Sequence, residues 1–340
     1  MFHKIILFLF LQICLSTNFQ ILNAQETFSI IAVDTVTGEI GSAGASCLDL
    51  FNLPYDTDLI ADVIPGIGAI NTQSYFIAAN QINARTRLLA GDSAQQIINW
   101  LFNNDVEDNP SVRQYGVISL INGRTQVASF TGDNCFDYKG QRIGKNYSIQ
   151  GNILIGPEVL DKMEEEFLKA KGNLPCRLMA SLQGANFPGA DSRCIQNGTS
   201  ALFAFLKVAN PNDDYKKPTI KIGVKTKSNS KIEPIDSLQK ILNELNLNCL
   251  PISNKNIDKF SGNIKVFPNP FCESFTVEAP EIKFSPLEIV LRDLLGKQVS
   301  LEYVSNDGNV TCITHNLPSG FYSLLIRSGN FFTLNKIIKK

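Results

Sequence analysis

Thr27 leads a β-rich run, Thr27-Phe28-Ser29-Ile30-Ile31-Ala32-Val33-Asp34, and no histidine follows it before His315. A hydrolase without histidine needs another group that titrates near neutral pH. A free α-amine, with a pKa of about 7.7 to 8.0, is such a group. A threonine that became the first residue could attack a carbonyl through its hydroxyl while its own amine took the proton, dividing amide hydrolysis into acyl-enzyme formation and release. In that scheme Asp34 would orient the amine, and Arg113, with Arg85 or Arg87, would supply positive charge, because no lysine lies between Gln25 and Tyr138. Asn152 or backbone N–H groups would stabilise the oxyanion. Ser46, Gln73 and Asp191, at strand or loop ends, would line the substrate cleft. Each also has a plain architectural reading: Thr27 begins a strand, Asp34 closes a turn, Arg113 holds a carboxylate at a sheet edge, and the others are satisfied buried polar groups. Cys47 has no histidine to activate it and suits a disulfide or the core better than a nucleophile.

Bulk properties narrow the setting. The chain has 340 residues, 44% hydrophobic and 19% charged, with a formal net charge of -1. That length accommodates two domains. The charge gives no basic field for nucleic acid, and no charge run points to a membrane surface. Lys4, the apolar run Ile5 to Leu15 and the polar stretch to Ala24 predict a secretory signal over residues 1–24. Cut after Ala24, the chain still carries Gln25-Glu26 ahead of Thr27, so the threonine mechanism requires further trimming. Seven cysteines remain beyond the leader, so at least one is unpaired. The preferred pairs are Cys176 with Cys194 and Cys272 with Cys312; small buried apolar residues are the alternative. No CxxC occurs, and no metal or other cofactor is expected.

The elements that must position these residues follow from periodicity and punctuation. Phe28 to Val33 and Ile40 to Ser46 read as a hairpin turning at Thr37-Gly38. Pro65 to Gln73 reads as a strand closely approached by backbone, its glycines lacking phosphate-loop spacing. Helices are predicted from Phe76 to Ala90 and, behind the capping box Ser93 and Gln96, to Phe102. Tyr115 to Ile121 and Arg124 to Phe130 flank Asn122-Gly123, a strong hairpin signal. Tyr147 to Ile155 is a further strand. Helices begin at Pro157 and Pro175, strands span Ser200 to Val208 and Pro218 to Thr226, and an amphipathic helix spans Asp236 to Asn246. Tight hairpins favour antiparallel sheets, and the helices must bury their stripes on them, giving a layered α+β domain. Residues 248–263 read as a linker, and 264–340 as a small β-sandwich.

Two resemblances sharpen this reading. Val266-Phe267-Pro268-Asn269-Pro270-Phe271, Arg292-Asp293-Leu294-Leu295-Gly296-Lys297, and Leu317-Pro318-Ser319-Gly320-Phe321-Tyr322 with Lys336-Ile337-Ile338-Lys339 resemble the type A sorting domain of the type IX secretion system of Bacteroidetes. That implies an address read by the secretion machinery, and a protein exported through the periplasm to be released or held at the cell surface. Residues 27 to 247 resemble the N-terminal-nucleophile hydrolase-like family catalogued as domain of unknown function 1028. Thr27 to Ile30, Asp34, Thr37-Gly38-Glu39, Gly41, Ser46, Thr72-Gln73, Arg113-Gln114, Gly132, Gln150-Gly151-Asn152 and Gly189 to Arg193 carry this likeness. It implies a four-layer αββα sandwich and, through relatives with peptidoglycan-binding modules, a peptide or cell-wall substrate. The chain departs from the family at Ala190, Cys194 and Ser228-Asn229. The alternative function is a secreted, non-catalytic binding module that keeps the αββα scaffold. Oligomeric state is not specified by these features.

Overall fold

The computed structural model describes residues 27–247, 249, 264–278, 287–293, 298–306, 309–314, 317–328 and 331–340. The leader, Gln25-Glu26, the linker apart from Cys249, Leu294 to Lys297 of one sorting motif, and His315 lie outside the described residues.

The larger unit combines antiparallel sheets with five helices. Strands β1 (Phe28–Val33), β2 (Ile40–Ser46), β7 (Gly140–Ile143), β8 (Tyr147–Gly151), β9 (Phe203–Ala209) and β10 (Ile220–Lys225) form one sheet in the order β10-β9-β2-β1-β8-β7. Strands β3 (Ala61–Ile64), β4 (Gly68–Gln73), β5 (Gln114–Ile121) and β6 (Arg124–Thr131) form the second, in sequence order. Helices α1 (Ala78–Leu89) and α2 (Ala94–Asn103) pack Ala84, Leu88, Ile97 and Leu101 onto Ile70, Tyr115 and Val117 of the second sheet. Helices α3 (Glu158–Lys169), α4 (Leu174–Gly184) and α5 (Pro234–Glu244) close over Phe28, Ile30, Ile149 and Leu206 of the first.

Local chemistry accounts for the boundaries. Ser93 Oγ accepts from Gln96 N at 3.2 Å while Gln96 Oε1 accepts from Ser93 N at 2.9 Å, the reciprocal cap that starts α2 and contributes about 1 kcal/mol. Asn122 and Gly123 both adopt positive φ, 50° and 72°, which lets a two-residue turn join β5 to β6. Strands β3 and β7, each of four residues, were not expected from sequence; neither is long enough to show an alternating pattern.

Between the sheets, alternation sorts the interior into two zones. Ile31, Val33, Ile40, Val63, Ala69 and Ile118 make an apolar zone toward the Asp34 end. Toward the Thr27 end the same faces carry Ser29, Gln73, Gln114 and Gln150, all buried. Burying so many amides is tolerable only if they bond to one another, and they do.

Among the described residues the C-terminal unit has two antiparallel four-stranded sheets, β11-β12-β16-β15 and β14-β13-β17-β18. The strands are β11 (Lys265–Phe267), β12 (Ser274–Glu278), β13 (Leu287–Arg292), β14 (Gln298–Val299), β15 (Glu302–Asn306), β16 (Asn309–Ile313), β17 (Gly320–Ser328) and β18 (Phe331–Lys339). Phe271, Phe275, Val277, Leu291, Leu324 and Ile337 form their shared core.

The cysteine pairing differs from the preferred one. Cys47 is bonded to Cys194 and Cys176 to Cys249, while Cys135, Cys272 and Cys312 are free thiols. Cys194 lies beside the end of β2, the partner that folding brings to it across 147 residues; sequence spacing carries no trace of that approach.

Candidate active site

Register fixes the neighbours of Thr27. Phe28 stands opposite Ala45 of β2 and Gly151 of β8, so Thr27, one step earlier, lies between Ser46 and Asn152. Because Phe28, Ile30 and Ala32 face the helices, Thr27 shares the inter-sheet face with Ser29. Thr27 is only 1% exposed. Its carbonyl accepts from Gln73 Nε2 at 3.0 Å and from Asn152 N at 3.2 Å. Its Oγ1 has no hydrogen-bond partner among the described residues, and neither has Asn152 Oδ1. A buried hydroxyl and a buried amide oxygen thus stand at neighbouring ladder positions without a partner among the described residues, and a buried polar group left so costs about 1–3 kcal/mol.

Around them the polar seam is closed. Ser29 Oγ donates to Gln73 Oε1 and accepts from Gln150 Nε2, both at 2.6 Å. Gln150 Oε1 accepts from Ser148 Oγ at 2.9 Å. Gln114 Oε1 accepts from Gln73 Nε2 at 2.8 Å and from Asn152 Nδ2 at 2.9 Å. Gln73, expected to bind substrate, therefore spends its amide inside the protein.

The chain around this end is strained. Ser74 and Tyr75, just past β4, and Ile153, just past Asn152, all have positive φ, 56°, 48° and 50°. For a β-branched isoleucine this is costly, and such residues gather where function over-determines the backbone. The Tyr75 and Phe136 rings lie 5.9 Å apart, and the Phe136 carbonyl accepts from Ile153 N, so this half-exposed pair bridges the two strained segments.

Two expected partners are placed elsewhere. Asp34 caps the opposite end of β1, where its Oδ1 accepts from Val36 N at 2.8 Å and Thr37 N at 3.2 Å; a six-residue strand separates it from Thr27 by about 20 Å. It closes a turn and does not orient the amine. Arg113 precedes Gln114, so alternation sends its side chain to the helix face of β5, away from Thr27. There, 1% exposed, it donates to both Asp105 oxygens at 2.7 and 3.0 Å, to Glu107 at 2.9 Å and to the Tyr75 carbonyl at 2.5 Å. Burial alone would raise the Asp105 carboxyl, but the Arg113 guanidinium and the Asn109 and Glu107 N–H groups bring it down to about 2. Arg113 thus anchors the turn that carries Tyr75. Arg85 and Arg87 are paired with Asp62 and Asp92.

Among the described residues the cation that approaches the site is Arg193, which lies beyond the lysine-free region that directs a sequence reading to Arg85, Arg87 and Arg113. Its Nη2 lies 3.4 Å from Ser46 Oγ and 2.7 Å from Asp191 Oδ2. Asp191, fully buried, also accepts from Cys47 N at 2.7 Å. Asp191 therefore ties the end of β2 to the loop carrying Arg193, a tie doubled by the Cys47–Cys194 disulfide. Gln114 and Gln150 were also missed as site residues. Cys135 is buried against the Arg113 carbonyl, and burial pushes its thiol up, which leaves it a poor nucleophile.

Residues 27–235, more than half of the chain, match the model of a family of unknown function, DUF1028. Residues 265–340 match a secretion system C-terminal sorting domain. Among solved structures the chain is similar to protein SPO2555 from Silicibacter pomeroyi, described with the same DUF1028 model. That likeness has 23% identity and a TM-score of 0.51, covering 64% of this chain and 88% of that one. The ancestral beta-subunit Anbu from Yersinia bercovieri, at 11% identity and a TM-score of 0.37, covers 67% of this chain and 99% of its own, a likeness too low to carry an argument. No curated protein matches. The sorting domain marks the protein for type IX export, to be secreted or attached at the cell surface; among the described residues no helix is long and apolar enough to cross a membrane. The chain belongs to the DUF1028 family and ends in a secretion sorting domain.

Proposed function

We propose that residues 27–247 form a four-layer αββα domain of the N-terminal-nucleophile type. It hydrolyses an amide bond in peptide or cell-wall material once loss of the 1–24 leader and of Gln25-Glu26 makes Thr27 the first residue. Residues 248–263 would then be a linker to the sorting unit. The observation that carries this reading is the Thr27 hydroxyl: buried at the head of β1, facing the space between two sheets, and without a partner among the described residues. In the reaction Thr27 Oγ1 bonds to the substrate carbonyl carbon, its proton passes to the Thr27 amine and then to the leaving nitrogen, and water releases the acyl group by the same route. Backbone N–H groups would hold the oxyanion. In this reading the Tyr75–Phe136 rings would meet substrate first, and Ser46, buried with Arg193 beside it, would line the inner end of the cleft. No metal or other cofactor enters this scheme.

The test is N-terminal sequencing of the natively secreted protein, followed by digestion of peptide and peptidoglycan-fragment mixtures with wild type and Thr27→Ala. A Thr27 start with cleavage lost in the variant is expected. A second reading, a non-catalytic binding module, is favoured by the commitment of Asp34 and Arg113 to structure. A secreted protein that keeps Gln25 or Glu26, and cleaves nothing, would establish it over the first.

A further inference from the structure

Gln114 decides which atom of Asn152 meets Thr27. Gln114 Nε2 lies 2.8 Å from the Gly151 carbonyl oxygen and 3.2 Å from that of Gly140. Carbonyls only accept, so the atom facing them must be the amide nitrogen, and Oε1 must accept in its turn. It does so from Asn152 Nδ2 at 2.9 Å. The nitrogen of Asn152 is thereby used, and the atom left over, fully buried and unpartnered among the described residues, is the acceptor Oδ1. An oxyanion needs a donor, so the Asn152 side chain faces the wrong way for the role expected of it from sequence.

Ladder geometry indicates what the acceptor is for. The Thr27 carbonyl accepts from Asn152 N. Within a strand the N–H and C=O of one residue point to the same neighbour, so the Thr27 nitrogen also points toward β8. Register therefore sets the Thr27 nitrogen beside Asn152, whose Oδ1 has no partner among the described residues.

We propose that Asn152 is a positioning residue whose Oδ1 receives an N–H of the Thr27 amine once Thr27 leads the chain, turning the amine lone pair toward Oγ1; Gln114 locks Asn152 in that orientation. This rests on the reading of Thr27 as an N-terminal nucleophile. The charged groups nearby do not supply the contact. On the β2 side Asp191 and Arg193 are paired with each other, the facing sheet presents neutral Gln73 and Gln114, β8 presents neutral Gln150, and the Arg113–Asp105 pair lies on the far face of β5.

The experiment uses the chain cut at an engineered protease site so that Thr27 is first. Trace acetylation with acetic anhydride across pH, read by peptide mass spectrometry, gives the pKa of the Thr27 amine. Because an acceptor favours the charged amine, Asn152→Leu lowers that pKa by about one unit, whereas Asn152→Asp raises it by about one to three. Gln114→Leu, which frees Asn152 to turn, moves it in the same direction as Asn152→Leu. An amine pKa unchanged in Asn152→Asp overturns the proposal. So does a rise in Asn152→Leu. If Asn152→Leu does not fold, the near-isosteric Asn152→Asp reads the contact by itself. None of these readouts requires turnover, so a folded chain that hydrolyses nothing still decides the point separately from the hydrolase reading.

Discussion

Replacing Arg113 by alanine would leave the Asp105 carboxylate, whose side chain is fully buried, without its bidentate partner. Breaking a buried pair from one side costs about 3–5 kcal/mol, because the remaining charge stays desolvated. The contact to Glu107 adds little, since that carboxylate is 61% exposed. The pH dependence supplies an independent check. The folded-state carboxyl of Asp105 sits at about 2, against an ordinary 3.8, a depression equivalent to about 2 kcal/mol. Because the folded value is the lower one, this stability is present above about pH 4 and is lost as pH falls through about 2. In Arg113→Ala the buried carboxyl protonates at higher pH, which relieves its penalty, so the gap between variant and wild type should be widest at pH 7 and narrow on acidification. Urea unfolding monitored by circular dichroism from pH 7 down to about pH 3 measures both quantities. A loss at pH 7 below about 1 kcal/mol, or a gap that does not vary with pH, would refute the assignment of Arg113 to structure.

Replacing Cys47 and Cys194 together by alanine removes a crosslink across 147 residues, an entropic loss of up to about 5 kcal/mol in the chain-entropy model, read as a lower urea midpoint. Little change would mean that the Asp191 contact holds the loop alone. A Cβ at Gly116 would stand 2.2 Å from Gln150 Oε1, so Gly116→Ala should force the polar seam apart and cost about 1–3 kcal/mol, measurable by thermal unfolding. Gln73→Leu removes the donor to the Thr27 carbonyl and leaves Ser29 and Gln114 short of a partner. It should therefore destabilise more than Ser46→Ala, by about 1–3 kcal/mol.

The elements that declared themselves in sequence are those whose signal is local. The Ser93 box, the Asn122-Gly123 turn and the prolines at the starts of α3 and α4 each act within a few residues, and each lies within a residue or two of its predicted place. What sequence did not disclose is set by approach in space. Thr27, Ser46, Gln73 and Asn152 could be singled out one at a time, yet the adjacency of Thr27, Ser46 and Asn152 depends on the β1–β2 and β1–β8 registers, and that of Gln73 on the packing of the second sheet against the first. Arg113 and Gln114 were legible as a pair, and alternation assigns them to opposite faces once Tyr115 and Val117 are known to face helices. Asp34 was misplaced because nearness along a strand is separation in space, about 3.3 Å for every residue. The disulfides were misassigned for the converse reason.

Asn269 joins the two ends of the sorting unit. Its Nδ2 donates to the Lys336 carbonyl at 2.8 Å and its Oδ1 accepts from Ile338 N at 2.9 Å, while Phe271 N and Lys340 N bond across the same seam. The Pro268-Asn269-Pro270 segment near the start of the unit is thus clasped by the last five residues of the sequence given. The first and last strands of the sorting unit are therefore held by one asparagine side chain, and a change at Asn269 would loosen both ends of the unit together.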